Sequence, residues 1–208
     1  PKSSGSVNFW NTESEKMEPI DELDDEGMRS FRRNMQMIFQ DPYESLNPRW
    51  TIKDIIKEPL DIHNIGALND REEAVIEILR TVGLTPPENY LARYPHEISG
   101  GQRQRVSIAR TLIMKPKFVI CDEPTSMLDV SIRISIMDLM LNLAKDLNVS
   151  YLYITHDLAV ARYMCNRIAV MFNGKIVEIA DTEELLNNPI HPYTKRLISS
   201  IPIPCLLY

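Results

Sequence analysis

The sequence has no apolar run approaching the ~20 residues needed to cross a bilayer, so any membrane role must come through a partner. Its three cysteines, Cys121, Cys165 and Cys205, are far apart and form no CxxC or Cys/His spacing. That excludes a disulfide framework and a zinc site of the usual spacing, and it fits a reducing compartment. The opening PKSSGSVNFW lacks the basic, apolar and small-residue zones of a signal peptide. Positive charge is also short: 23 Lys and Arg against 29 Asp and Glu leave a net charge of -6. A chain that held nucleic acid by neutralising phosphates would need clustered Lys and Arg, so nucleic acid is not expected as a partner. Glycine is scarce, with seven copies at 5, 27, 66, 83, 100, 101 and 174. None builds the phosphate loop GxxxxGK[ST], and the only Gly-Lys, Gly174-Lys175, runs into Ile176. Without that cradle of backbone amides, weak nucleotide binding is expected of these 208 residues by themselves. Internal repeats, low-complexity tracts and coiled-coil heptads are absent as well.

What is present reads as a globular α/β chain. With 44% hydrophobic and 25% charged residues, 208 residues can bury one sizeable core, with room for a small appended lobe. Residues 2–11 suggest a turn and then an extended segment, as if the chain opened inside a domain. Residues 21–33 are polar, suiting a surface connection or a short helix. The run MQMIF at 35–39 predicts a strand, stopped by Gln40-Asp41-Pro42. Pro42, Pro48 and Pro59 then predict a long exposed connection containing a helix-like TIKDIIKEPL that ends near the last proline. Asn69-Asp70 with Glu three residues on predicts a capped helix carrying Val75, Ile78, Leu79 and Val82 and closed at Gly83.

Further on, FVIC at 118–121 predicts a short strand delivering Asp122-Glu123, and apolar spacing over 131–147 predicts an amphipathic helix. YLYIT at 151–155 predicts a strand ending in His156-Asp157. Residues 167–172 and 175–179 flank Asn173-Gly174, which supplies the positive φ angles of a tight hairpin turn. Strands alternating with helices indicate a layered α/β fold.

Four places carry chemistry. Ser99-Gly100-Gly101-Gln102 opens a helix that continues through Val106, Ile108, Ala109 and Leu112. Side-chain-free backbone at a helix N-terminus can approach a phosphate, although a plain loop and helix cap would look the same. Asp122-Glu123 closes an apolar strand, where an Asp can hold Mg²⁺ and a Glu can orient or deprotonate an attacking water. His156 and Gln40 each follow a strand, and alone neither would carry weight.

Taken together these residues resemble ABC ATPases. Ser99-Gly100-Gly101-Gln102-Arg103-Gln104-Arg105, preceded by Tyr94-Pro95-His96-Glu97-Ile98, resembles the family's signature sequence. Asp122-Glu123-Pro124-Thr125-Ser126-Met127-Leu128-Asp129 resembles its Walker B segment running into the D-loop, with Met127 where Ala is usual. Thr155-His156-Asp157 resembles the switch histidine, and Gln40 in FQDP the Q-loop glutamine. All four occur in the family's order over nearly the whole chain.

The resemblance implies a P-loop NTPase-like ABC nucleotide-binding domain with an inserted helical subdomain and an incomplete core sheet. Residues 1–42 would be partial ATPase core, 43–112 the helical subdomain, 113–181 further core, and 182–208 the start of a C-terminal extension. It implies ATP and Mg²⁺. Ser99, Gly100, Gly101 and Gln102 would face the γ-phosphate held by a second ATPase subunit, and Asp129 would contact across that pair. Asp122 and Gln40 would serve the metal, and Glu123, His156 and Gln40 the hydrolysis. The family's phosphate loop precedes the stretch that opens this chain, on a strand placed beside the one ending at Asp122. Lacking it, an apolar sheet edge should be exposed and the chain poorly soluble or paired.

Phe39-Gln40-Asp41-Pro42-Tyr43-Glu44-Ser45-Leu46-Asn47-Pro48-Arg49 resembles the F-type ATPases of oligopeptide and dipeptide importers. Asn188-Pro189-Ile190-His191-Pro192-Tyr193-Thr194 and Ser200-Ile201-Pro202 resemble the start of that group's C-terminal extension, although NPIHPYT would also make a Pro-rich surface turn. Cys205 alone cannot build the iron–sulfur site of longer relatives. Permease subunits, and indirectly a substrate-binding protein, are the partners implied, at the cytoplasmic face of the cell membrane. Nickel importers share these features, so peptide and metal chelate both stand as cargo. A soluble ABC ATPase acting on DNA or ribosomes, and an inactive copy offering only its signature face, are the other readings.

Overall fold

The computed structural model describes residues 4–11 and 15–200. Three parallel strands, β3 (Met35–Ile38), β4 (Phe118–Asp122) and β5 (Ser150–Ile154), form the central sheet in the order β3-β4-β5. Ile38 pairs with Cys121 and Cys121 with Tyr153, so one sheet face carries Ile38, Val119 and Cys121, each 0% exposed, beside Tyr151 and Tyr153. On the opposite face Leu152 and Ile154 are about half exposed. An open apolar surface is therefore present, but not where the resemblance placed it. β4 has neighbours along both of its edges, so no further strand fits beside the one ending at Asp122.

Before the sheet, β1 (Asn8–Asn11) and β2 (Lys16–Pro19) pair antiparallel, and the short helix α1 (Asp25–Phe31) follows. Asp24 caps α1 by accepting from the Gly27 amide at 2.7 Å.

Between β3 and β4 lie only helices among the described residues: α2 (Pro42–Ser45), α3 (Ile52–Ile62), α4 (Leu68–Thr81), α5 (Glu88–Leu91) and α6 (Gly100–Leu112). The expected exposed connection over 42–63 is instead folded and partly buried. The hydroxyl of Thr51 caps α3, whose Ile52, Ile55, Ile56 and Leu60 are all buried. Each such side chain contributes about 1.5–3 kcal/mol. That apolar face carries the helix past Pro59, whose lost hydrogen bond does not stop it. α4 also starts earlier than expected. Ala67 holds the cap position and donates its amide to Asp70 at 3.0 Å, which places Asp70 in the first turn rather than before it. Gly83, at φ +74, ends the region as expected, and a side chain there would meet Arg105 at 2.8 Å.

α6 is the hub of this helical region. Val106, Ile108, Ala109 and Leu112 are buried in the main core, while three arginines, Arg103 among the buried residues, tie the helix to neighbouring segments. Arg105 donates to the Val82 carbonyl at the end of α4 and to Ser135. Arg110 pairs with Glu58 of α3 at 2.7 Å and donates to the Ser45 carbonyl. Arg103 reaches the turn at Pro95 and the ring of Tyr43.

After β4 come α7 (Val130–Asp146), β5 and α8 (Leu158–Met164). The hairpin of β6 (Arg167–Phe172) and β7 (Lys175–Asp181) turns on Asn173 and Gly174, both at positive φ, as their chemistry predicts. With α9 (Thr182–Asn187) and α10 (Pro192–Ser199) it encloses a second, smaller core of Ala161, Ile168, Val170 and Leu185. NPIHPYT is more than a surface turn. Glu178 of β7 accepts the amides of Ile190 (2.7 Å) and His191 (3.0 Å), and the Tyr193 ring packs on Phe172. Cys205 and Ile201-Pro202 lie outside the described residues. Among the described residues no helix is long and apolar enough to cross a membrane.

Candidate functional site

Parallel pairing aligns the carboxyl ends of β3, β4 and β5 along one edge, where open α/β sheets bind ligands. Gln40 lies two residues beyond β3, Asp122-Glu123 closes β4, and His156 lies two residues beyond β5. Residues 83 and 33 positions apart thus converge on one carboxylate: Gln40 donates Nε2–H to Glu123 Oε2 at 3.3 Å, and His156 Nδ1 lies 2.7 Å from Glu123 Oε1.

The Glu123 backbone is held in the left-handed region at φ +41. A non-glycine residue there costs of order 1–3 kcal/mol and persists only where its surroundings hold it. Here they do. Its amide donates to the Ile154 carbonyl at 3.0 Å, and its own carbonyl accepts the Ser126 amide (3.1 Å) and hydroxyl (3.0 Å). Nothing in the sequence around Glu123 announced this conformation.

The hydrogen bond and the negative charge of Glu123 raise the His156 pKa above its ordinary 6.5. The ring is otherwise open, with 77% of the side chain exposed, so in the imidazolium form, with Nδ1–H on Glu123, its Nε2–H is free to donate to a ligand. A cavity of about 80 Å³ opens beside the pair, lined by Glu123, Thr125, Ser126, Arg133, Thr155 and His156, among others.

Asp122 is partly buried at the end of β4. No group of three or more His, Cys, Asp or Glu side chains able to hold a metal occurs among the described residues. The donors that are present suit a hard cation. The Asp122 carboxylate and the Gln40 amide oxygen are both oxygen ligands, and Mg²⁺ commonly takes one or two protein ligands with phosphate oxygens and water filling the rest.

The glycine pair opens α6 some distance along the chain from this carboxylate. Ser99 and Gln102 form a reciprocal cap: the Ser99 amide donates to Gln102 Oε1 at 2.9 Å, and the Gln102 amide to Ser99 Oγ at 3.3 Å. Gln102 also reaches the Tyr90 hydroxyl. The plain cap reading of these residues is therefore satisfied, and their hydrogen bonds do not run to Gln40, Glu123 or His156. The two glycines differ in physical cause. A Cβ on Gly101 would sit 2.7 Å from Ile132 Cγ2 of α7, so close helix packing demands glycine there. A Cβ on Gly100 would meet only Leu128 at 3.8 Å, so packing alone does not demand its bareness. Asp129 caps α7 by position but makes no side-chain cap bond, and it is exposed. Met127, Val130 and Ile134 around it are exposed apolar residues.

Sequence reasoning missed three participants. Arg133 reaches the Leu128 carbonyl (3.4 Å) and Asp157 (3.7 Å), linking the Asp129 loop to the segment carrying His156. Tyr43 and Arg103 join the residues after Gln40 to the helix that follows Ser99. They are 60 positions apart, and no local pattern pairs them.

Comparison with known proteins adds two family matches. Residues 1–126 match the family described as ABC transporter, and residues 177–205 match the oligopeptide/dipeptide transporter C-terminal region. The chain is 49% identical over 189 residues to the oligopeptide transport ATP-binding protein AppF of Bacillus subtilis, covering 90% of this chain and 57% of that protein. It is 54% identical over 175 residues to OppF of the same species, covering 84% and 57%. It is 51% identical over 178 residues to the dipeptide transport ATP-binding protein DppF of Lactococcus lactis, covering 85% and 56%. The chain thus spans a little over half the length of these relatives. A dimeric ATP-binding cassette solved in a post-hydrolysis state with ADP and Pi matches its fold with a TM-score of 0.67 and 30% identity, covering 79% of this chain and 70% of that one.

Proposed function

The chain belongs to the ABC transporter family, and from that premise we propose that it acts as the ATP-binding and ATP-hydrolysing subunit of a peptide importer. The observation that carries this reading is the convergence of Gln40 and His156 on the two oxygens of Glu123 at the carboxyl edge of the sheet. The C-terminal match at 177–205 supports peptide cargo over a DNA or ribosome partner.

Glu123, oriented from both sides, accepts the proton of the water that attacks the γ-phosphorus. His156 spends Nδ1 on Glu123 and presents Nε2 to the γ-phosphate, where a donor stabilises developing charge. Mg²⁺ would neutralise phosphate charge during transfer, held by Asp122 and Gln40. Ser99, Gly100, Gly101 and Gln102 meet a nucleotide bound to a second ATPase subunit, with Asp129 and its exposed apolar neighbours at that contact. Residues 43–112 form the helical lobe that transmits closure to permease subunits, and the assembly sits at the cytoplasmic face of the membrane. GxxxxGK[ST] is not among the 208 residues, and the reading concerns the assembled transporter.

The test is reconstitution with permease, partner ATPase and binding protein, followed by ATP turnover with peptide or with a nickel chelate as cargo. Turnover stimulated by peptide is expected. Absence of turnover, or stimulation by the nickel chelate alone, would refute the proposal.

A further inference from the structure

The Arg103 side chain is an anomaly of charge. The residue is only 6% exposed, yet no carboxylate pairs with it among the described residues. A buried cation without a counter-ion is costly, so its surroundings must compensate. Two groups do. The guanidinium carbon lies 3.6 Å from the centroid of the Tyr43 ring, close enough for the ring's negative face to attract it. Nη1 donates to the Pro95 carbonyl at 2.8 Å, and Nη2 to the Tyr43 hydroxyl.

The chain positions of these groups give the contact its meaning. Tyr43 lies three residues after Gln40, and its amide is fixed by the Asp41 carboxylate at 2.7 Å. Arg103 lies four residues after Ser99, its backbone amide donating to the Ser99 carbonyl at 2.9 Å, while Pro95 belongs to the turn that leads into Ser99. One side chain therefore grips both the entry to the glycine pair and the segment that carries Gln40 to Glu123.

We propose that Arg103 and Tyr43 are positioning residues that lock the Ser99 face, offered to a neighbouring subunit's nucleotide, in register with Gln40 at this chain's own Glu123. The inference rests on the ATPase reading above and adds to it a physical link between two nucleotide sites. Loss of the stack leaves nucleotide binding in place and misaligns the two halves of the closed site. A misplacement of about 1 Å can cost up to roughly a hundredfold in rate, and it falls on kcat when ground-state binding is spared.

The experiment compares the assembled transporter carrying Tyr43→Leu, Arg103→Met, the double variant, Tyr43→Phe or Arg103→Lys. Tyr43 is 62% exposed, so Tyr43→Leu should keep the fold even where Arg103→Met does not. Tyr43→Leu is expected to lower kcat by roughly tenfold or more with KM for ATP within about twofold. The double variant should be no worse than the poorer single, as expected when both residues serve one contact. Tyr43→Phe, which keeps the ring but loses the hydroxyl that accepts from Nη2, and Arg103→Lys, which keeps the charge, should both fall between the unsubstituted protein and Tyr43→Leu. Unchanged kcat, a loss confined to KM, or multiplicative losses in the double variant would overturn the proposal.

Amide exchange in the same proteins reads the link without turnover. Exchange over residues 96–99 should rise in Tyr43→Leu while β4 stays protected, and unchanged exchange there would also overturn it. Absence of turnover in the unsubstituted assembly would refute the ATPase reading, and exchange would still decide the link.

Discussion

Nδ1 of His156 lies 2.7 Å from Oε1 of Glu123, a charge-assisted contact between an exposed ring and a largely buried carboxylate that meet only because β4 and β5 pair in parallel. The carboxylate favours the imidazolium, so the His156 pKa lies above 6.5 in the folded state. The sign follows directly: the contact stabilises fully below about pH 6.5 and fades as pH rises through the raised midpoint. An NMR titration of the imidazole should show a midpoint above 6.5, falling back toward it in Glu123→Gln. A midpoint at or below 6.5 in the unsubstituted chain would contradict the geometry.

Gly101 and Gly100 should respond differently to the same substitution. Gly101→Ala forces a methyl to within 2.7 Å of Ile132 Cγ2, and such overpacking costs about 1–3 kcal/mol. Gly100→Ala meets nothing closer than 3.8 Å and should change stability by at most about 1 kcal/mol, the helix preference for Ala offsetting any strain. Denaturant melts of both variants decide it. Adding Ile132→Ala to Gly101→Ala should cost less than the sum of the two single losses, because the clash is then gone.

These glycines show how far the sequence was legible. Tight-turn chemistry was readable wherever it was local: Asn173-Gly174 sits at positive φ in the β6–β7 turn, and Gly83 ends the α4 region. The strands ending near Gln40, Glu123 and His156 were readable because short apolar runs meet polar stops. The helix near Pro59 was readable, ending three residues past it at Ile62, but the exposed connection expected around it was not found, because Ile52, Ile55, Ile56 and Leu60 are buried. The pairing of β4 on both edges was not readable, because strand order is a long-range property with no local signature. The Tyr43–Arg103 stack and the left-handed Glu123 were hidden for the same reason: each is imposed by residues distant in sequence.

Glu178 is expected to be the fastening point of the segment carrying His191, Pro192 and Tyr193. Its carboxylate accepts two consecutive backbone amides, so Glu178→Ala leaves those of Ile190 and His191 without a partner. Their hydrogen exchange should accelerate by roughly tenfold or more, while amides of β4 remain protected. Equal protection in both proteins would show that the Tyr193–Phe172 contact holds the segment alone.

The most direct test of the central claim is single-turnover release of phosphate from ATP by the assembled transporter, unsubstituted and with Glu123→Gln. The amide keeps the shape that meets Gln40 and His156 but cannot take a proton, and general-base catalysis is typically worth 10²–10⁴-fold. Hydrolysis is predicted to slow by roughly that factor while ATP stays bound. A rate within about twofold of the unsubstituted assembly would remove Glu123 from the chemistry and the account with it.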